Sequence, residues 1–445
     1  MTKTRFYRKL KSRAKEIDLG STASYKGISL AFGLIANLGA VAVLSNKFGV
    51  HEYAAYSLIA SLIYLLPFAD LGLGASVVNA VSDQRERTMS QRDLSLVLGR
   101  VRLLLSFVGF VLIIIAVLLT ISGGWAIAFG SLGANDGIST AAMVTVASIG
   151  LALPLGLGSR ILQGLGLVRE TVRASLFAPI ATVTLFLTFL MINAPAAFYL
   201  CVPAVGYFIV AVVTYVRAIK LLDIDRARIP DILLEKLSEK RSIAKSAVPF
   251  FIISIGLAFG LQSHRLLLAQ LGTPTDVATY SLVAQFTGPI LAILTVAAQN
   301  LWSRYRKSGM TDQSSYLRDI SLFSLLGIFG SVILLVAIPM ASKFLTAGNV
   351  LVPDLLLFGA SMYIVIVAIH QPGAMLLNDH SGLRFQALLV VSVSSISFYL
   401  LFIYIPSFGA SFTYLCSAIV MIFVQVIPTV LISLKRLRNA EQAFR

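Results

Sequence analysis

The chain has 445 residues, 57% of them hydrophobic and only 13% charged, with a mean hydropathy of +0.87; so few charges cannot cover the surface of a soluble protein of this length. The net charge of +16 does not indicate nucleic acid, because the basic residues are scattered through short polar segments between apolar runs instead of lining one soluble face with aromatics between them. The two cysteines, Cys201 and Cys416, both lie inside apolar runs, which excludes a disulfide framework and a zinc site.

In chain order, residues 1–22 form a basic arm (Lys3, Arg5, Arg8, Lys9, Lys11, Arg13, Lys15) that lacks a small-residue cleavage pattern and leads into a full-length apolar run. It is expected to be retained as a cytoplasmic interfacial segment. Spans are expected near 23–46, 52–82, 94–121, 139–163, 174–193, 197–219, 246–270, 276–303, 319–340, 354–378, 386–405 and 410–434, each long enough to cross a hydrocarbon layer of about 30 Å. The basic residues of the segments between them fall on one side: Arg85, Arg87 and Arg92, then Arg169 and Arg173, then 217–245, 304–318, Arg384 and the tail with Lys435, Arg436 and Arg438. Lys47 and Lys343 are the basic residues of the opposite loops. The positive-inside rule then places both termini in the cytoplasm and favours an even number of spans.

The second span opens on EYAAYSLIA (Glu52–Ala60) and the eighth on DVATYSLVA (Asp276–Ala284), each after a glycine-containing turn, at Gly49 and Gly272. A match six spans apart implies two homologous halves. The expected fold class is therefore an all-α polytopic membrane protein, with about twelve transmembrane helices in two pseudo-symmetric six-helix bundles around a central cavity. Its parts are the arm 1–22, a first bundle 23–219, a basic cytoplasmic linker 220–245, a second bundle 246–434 and a tail 435–445. Prolines fall in every even span (Pro67, Pro154, Pro203, Pro289, Pro372, Pro428), as do Pro179 and Pro249 in odd ones; corresponding bends in two halves suit an alternately opened cavity.

Several stretches resemble the polysaccharide flippases of the multidrug, oligosaccharidyl-lipid and polysaccharide (MOP) exporter superfamily: FADLGLGASVVN (Phe68–Asn79) after AAYSLIASLIYLLP (Ala54–Pro67), HRLLLAQLG (His264–Gly272) and the YSLVAQ run (Tyr280–Gln285). Relatives often carry an acid before the arginine near the end of span seven, where this chain has His264. The resemblance implies an undecaprenyl-diphosphate-linked oligosaccharide moved from the cytoplasmic to the periplasmic leaflet of a bacterial inner membrane, for O-antigen, capsule or exopolysaccharide synthesis. It implies a monomer among membrane lipids, with a polysaccharide polymerase and chain-length regulator as partners.

Ionisable groups inside a membrane are costly and so become functional candidates. Asp70 lies roughly 18 Å from the inner end of its span at 1.5 Å per residue; beside Gly72 and Gly74 it either caps or pairs within a broken helix, or couples transport to a proton or sodium ion. Arg265 and His264, Arg160 and Lys26 either snorkel to headgroups or face a cavity, where arginine is suited to a diphosphate. With Asn79, Gln262 and Gln299 they form the expected substrate-binding set, while His264 joins Asp70 as ion-coupling or structural. His370 is expected to be a satisfied packing residue. No catalytic group, metal site or cofactor is expected: there is no phosphate loop, no metal-ligand spacing and no nucleophile near a base. An exporter of organic cations, for which a buried carboxylate is the usual counter-charge, and a flippase of lipid-linked peptidoglycan precursors are the alternatives.

Overall fold

A computed structural model describes residues 19–65, 73–222, 256, 260, 263–307, 312–378 and 380–443, and among these every regular element is helical. That follows from the solvent: lipid offers the backbone no hydrogen bonds, and a helix satisfies its own N–H and C=O groups. The principal helices are α1 Leu19–Lys47, α2 Val50–Ser61, α3 Leu73–Arg85, α4 Gln91–Ile121, α5 Trp125–Phe129, α6 Asp136–Gly164, α7 Val168–Ser175, α8 Phe177–Met191, α9 Ala196–Leu200, α10 Val202–Leu221, α11 Pro274–Lys307, α12 Gln313–Leu345, α13 Asp354–Leu376, α14 His380–Phe408, α15 Thr413–Met421 and α16 Ile427–Ala443.

Nine helical stretches among the described residues are long and apolar enough to cross a membrane, so the chain is a multi-pass membrane protein. The last runs 58 residues, Gly382–Asn439, far more than the ~20 residues one crossing needs. It is broken at Gly409, whose φ of +54° lies in the left-handed region that favours glycine. The expected second and seventh spans each include residues outside the described set, as do the arm 1–18 and most of the linker, so the expected twelve remains a reading of the sequence. Phe107, Phe110, Leu118 and Ile121 on α4 and Leu325, Phe329, Val336 and Phe344 on α12 are exposed, stripes at helical spacing that only lipid would cover.

Helix starts carry sequence-encoded caps. Ser90 accepts from the Asp93 amide at 3.0 Å at the head of α4, and Asp312 accepts from the Ser315 amide at 3.3 Å at the head of α12. The Ser315 side-chain hydrogen bond, followed by that backbone bond, holds the Asp312 carboxyl below its ordinary value. Before α11 a reciprocal box forms, with the Thr273 amide donating to Asp276 at 2.9 Å and the Asp276 amide to Thr273 Oγ1 at 3.2 Å. Asp276 Oδ1 also accepts from the Ala410 amide at 2.8 Å, tying the head of α11 to the turn after α14.

The expected helix-embedded prolines of the even spans are found in part. Pro154, Pro289 and Pro372 lie inside helices as expected, but so do Pro339 and Pro406 in the ninth and eleventh spans. Pro203 sits in the first turn of α10, where its missing N–H breaks no bond and bends nothing. Pro428 follows a π-turn at Ile422–Val426, the widening expected where a proline interrupts the backbone ladder.

The chain divides into two compact units. One comprises the described residues of Met1–Asn37, Leu62–Ser122 and Ser139–Phe251. Its core is built by Val77, Val81, Leu94, Val101, Leu105, Leu153, Leu157 and Leu162 from α3, α4 and α6. Here α4 and α6 cross backbone to backbone: a Cβ on Gly109 would lie 2.2 Å from the Gly150 carbonyl oxygen, and one on Gly150 would lie 2.6 Å from that of Gly109. Small residues permit this approach, which is how helices gain packing energy where lipid competes for apolar surface. Gly109→Ala is expected to cost about 1–3 kcal/mol of overpacking, read as a lower midpoint of thermal unfolding in detergent. Gly156→Ala on α6, with nothing within 4 Å of its Cβ, should leave the midpoint unchanged.

The other unit comprises Leu38–Ser61, Gly123–Ile138 and the described residues of Ile252–Arg445. In it α12 packs on α13, with Gly327 against Ala368 and Val365 and Ser331 Oγ donating to the Ser361 carbonyl at 2.8 Å. The two repeated stretches meet in this unit, because α2 packs on α11. Tyr53–Leu58 on the first and Val277–Val283 on the second are buried throughout, which is why both copies are small, apolar and hydroxyl-bearing.

Candidate functional site

The buried polar groups of the second unit gather around residues 263–271, α11 and α15. His264, 4% exposed, has Nδ1 at 3.0 Å from Tyr280 Oη and Nε2 at 3.1 Å from Ser417 Oγ. Ser417 gives its one hydroxyl proton to the Thr413 carbonyl at 3.1 Å, so towards His264 it accepts. Nε2 therefore carries the hydrogen, Nδ1 accepts from the Tyr280 hydroxyl, and both ring nitrogens are satisfied with the imidazole neutral.

Tyr280 in turn organises its surroundings. Its ring stacks on Tyr414 with centroids 5.1 Å apart, and Tyr414 lies 5.7 Å from Tyr363. The half-buried Arg265 holds its guanidinium 5.6 Å from the Tyr280 ring centroid and donates from Nε to Ser281 Oγ at 3.3 Å. A hydroxyl and a ring face thus fix the direction of a cation without themselves carrying charge, an arrangement able to receive an anion through charge-assisted hydrogen bonds.

Other polar clusters are ties between helix ends. Asp319, 3% exposed, accepts from the Arg304 guanidinium and from Tyr305 Oη, the latter at 2.7 Å. The Asp319 hydrogen bond raises the Arg304 pKa, and burial followed by the same carboxylate raises that of Tyr305. In the first unit Glu170 joins Arg173, at 3.0 Å, and Arg217, while Arg85 donates to the Leu165 carbonyl at 3.0 Å, near the end of α6, where a cation complements the helix dipole. No group of three or more His, Cys, Asp or Glu among the described residues is arranged to hold a metal ion.

Of the residues singled out from the sequence, Arg265 and His264 come together in one cluster. Arg160 belongs to the other unit, half-buried, with Gln163 Oε1 at the 3.5 Å limit of a hydrogen bond. Asn79 and Gln299 are exposed. Lys26 lies on α1 with its side chain outside the described residues, and Asp70 and Gln262 also lie outside them. His370 is buried, but its Nε2 has no hydrogen-bond partner among the described residues, so the expectation that it is satisfied is corrected for that atom. The sequence reading passed over Tyr53, Tyr280, Ser281 and Tyr414 as chemistry. For Tyr53, Tyr280 and Ser281 the signal was the repeat itself, whose Tyr-Ser pairs at Tyr56–Ser57 and Tyr280–Ser281 put hydroxyls into otherwise apolar helices; Tyr414 carried none.

The sequence profile of the polysaccharide biosynthesis protein family matches residues 23–302, and the chain belongs to that family. No curated protein matches the sequence. Among solved structures, the chain is similar to a multidrug resistance MATE family transporter of the MOP superfamily in its inward-facing conformation, with TM-score 0.70 and 16% identity over 92% of this chain and 95% of that one. It is also similar to the lipid II flippase MurJ in an inward closed conformation, with TM-score 0.66 and 15% identity over 92% of this chain and 87% of the other. A MOP superfamily transporter from Pyrococcus furiosus Vc1, described as having a binding pocket of reverse polarity, gives TM-score 0.57 and 15% identity over 94% of each chain. Identities this low establish shared fold. Family and fold together make the protein a membrane flippase or transporter of MOP-superfamily architecture.

Proposed function

We propose that this protein moves an undecaprenyl-diphosphate-linked oligosaccharide from the cytoplasmic to the periplasmic leaflet of a bacterial inner membrane, by alternating access, for surface polysaccharide synthesis. The observation that carries this reading is Arg265, a half-buried guanidinium aimed by Tyr280 and Ser281, which is suited to bidentate recognition of phosphate. The family supports a sugar cargo, and the likeness in fold to the lipid II flippase MurJ supports a lipid-linked one. The organic-cation alternative needs a buried carboxylate free to meet its cargo. Among the described residues the buried carboxylate is Asp319, which is already bound to Arg304 and Tyr305; Asp70, which the sequence places inside the membrane, is the carboxylate that alternative would have to use.

The direction of travel is favourable. Moving one charge across 100 mV is worth about 2.3 kcal/mol, so a diphosphate with about two negative charges leaving a negative cytoplasm gains ~4–5 kcal/mol if no protein charge travels with it. A proton or sodium gradient would add to this, with Asp70 as coupling or structural group and His264, its two ring nitrogens engaged by Tyr280 and Ser417, in the structural role, and the protein would act as a monomer that hands its cargo to a polymerase and chain-length regulator. The test is reconstitution in vesicles containing a fluorescent oligosaccharide-diphosphate lipid, with an impermeant quencher outside. Crossing faster than in protein-free vesicles is expected; equal rates would refute the reading.

A further inference from the structure

In the first unit, arginines from three helices are held in place around the turn that follows α6. From α3, Arg85 donates to the Leu165 carbonyl at 3.0 Å. The turn leaves it room: Gly166 has a φ of +75°, and a Cβ there would lie 2.7 Å from Arg85 Nη1. A few residues on, Glu170 of α7 binds Arg173 of the same helix through one oxygen, at 3.0 Å, and Arg217 of α10 through the other. The Arg173 and Arg217 side chains stay 39% and 45% exposed, and Arg85 is exposed as well. On the same segments Val168, Phe177 and Val216 are exposed, so guanidinium groups alternate with apolar side chains, as suits a border between headgroups and acyl chains. The distribution of basic residues assigns this border to the cytoplasmic side. A topology signal needs only charge in a loop; it needs neither a glycine that admits one guanidinium nor a carboxylate that aims two others.

We propose that this junction binds an anionic phospholipid of the cytoplasmic leaflet, with Arg85, Arg173 and Arg217 taking its phosphate and Val168, Phe177 and Val216 meeting its acyl chains. Basic pockets between membrane helices on that side suit such headgroups, and each guanidinium fork matches two phosphate oxygens. Glu170 spends one oxygen on each of its arginines, which orients two forks that carry more donors than one carboxylate can accept. A lipid held there joins α3, α7 and α10 and so stabilises the folded unit. The inference goes beyond the proposed cargo: it concerns a resident membrane lipid and stands whether or not the protein moves a sugar.

The probe is phosphatidylglycerol, titrated into the purified full chain in neutral detergent, with phosphatidylcholine of the same acyl chains and inorganic phosphate as separate arms and the midpoint of thermal unfolding as readout. Phosphatidylglycerol is expected to raise the midpoint, while phosphatidylcholine and inorganic phosphate at equal concentration leave it unchanged. Arg85→Gln and Arg173→Gln should each need roughly fivefold more phosphatidylglycerol for the same rise, the worth of one basic residue beside an anionic headgroup, and the double variant more than either. Arg438→Gln, exposed on α16, removes the same charge elsewhere and should respond as the parent does. If the double variant does not unfold cooperatively, Arg173→Gln, which leaves Glu170 bound to Arg217, carries the test. An equal rise with phosphatidylcholine or with inorganic phosphate, parental responses in both single variants, or the same weakening in Arg438→Gln would each overturn the proposal.

Discussion

Arg265→Ala is expected to insert normally and yet to lower the rate of lipid-linked oligosaccharide crossing by about tenfold to a hundredfold. A hydrogen bond to a charged group is worth roughly 1.5–3 kcal/mol, and each 1.4 kcal/mol is a factor of ten. The guanidinium sits over the Tyr280 ring and is bound to Ser281, so its orientation is already fixed before cargo arrives and its loss removes a preformed contact. Arg265→Lys keeps the charge but loses the planar fork and the ring stacking, and should recover only part of the rate. Arg160→Ala, in the other unit, is expected to be impaired in the same assay. If both alanine variants restore surface polysaccharide to a strain lacking the gene as well as the parent does, these arginines do not hold the cargo.

How much of this was legible beforehand depends on which forces set each feature. The spans were readable because lipid imposes a length and an apolar composition that no tertiary context overrides: the expected 94–121, 139–163 and 354–378 are found as Gln91–Ile121, Asp136–Gly164 and Asp354–Leu376. The extra turns at the inner ends, as in α12 beginning at Gln313, were harder to read because polar caps such as Asp312 extend a helix past its apolar stretch. Charge and the HRLLLAQLG resemblance drew attention to Arg265 and His264. It could not say that His264 would spend both nitrogens on hydroxyls from α11 and α15, since those partners lie 16 and 153 residues away. Nor could the repeat disclose that its two copies pack on each other, because sequence similarity records common ancestry and carries no information about which faces meet. Asp319 went unremarked because it stands at the very head of the expected 319–340 span, where nothing in the sequence marks it as buried under Arg304 and Tyr305.

A disulfide between Asn46→Cys and Leu345→Cys is expected to abolish transport almost completely, with recovery on reduction. The Asn46 amide donates to the Leu345 carbonyl at 2.9 Å, joining the end of α1 to the end of α12, and Asn349 reaches back to the Ser45 carbonyl at 3.4 Å. Also in this unit, Gln270 donates to the Ile127 carbonyl at 2.6 Å, and Gly130 approaches Ala269 so closely that a Cβ would lie 2.1 Å from its carbonyl oxygen. These bonds link the first half of the sequence to the second on the side expected to face the periplasm, and under the proposed function they would have to open for a cargo to leave on that side. Each is a single neutral hydrogen bond worth about 1 kcal/mol net, weak enough to break in every cycle, whereas a disulfide is not. Asn46 is exposed, so oxidation and reduction can be driven in vesicles, with the Cys201→Ala, Cys416→Ala background preventing other pairings. A fully cross-linked protein that transports at the reduced rate would mean that this side stays shut throughout the cycle, and alternating access between the two halves would have to be abandoned.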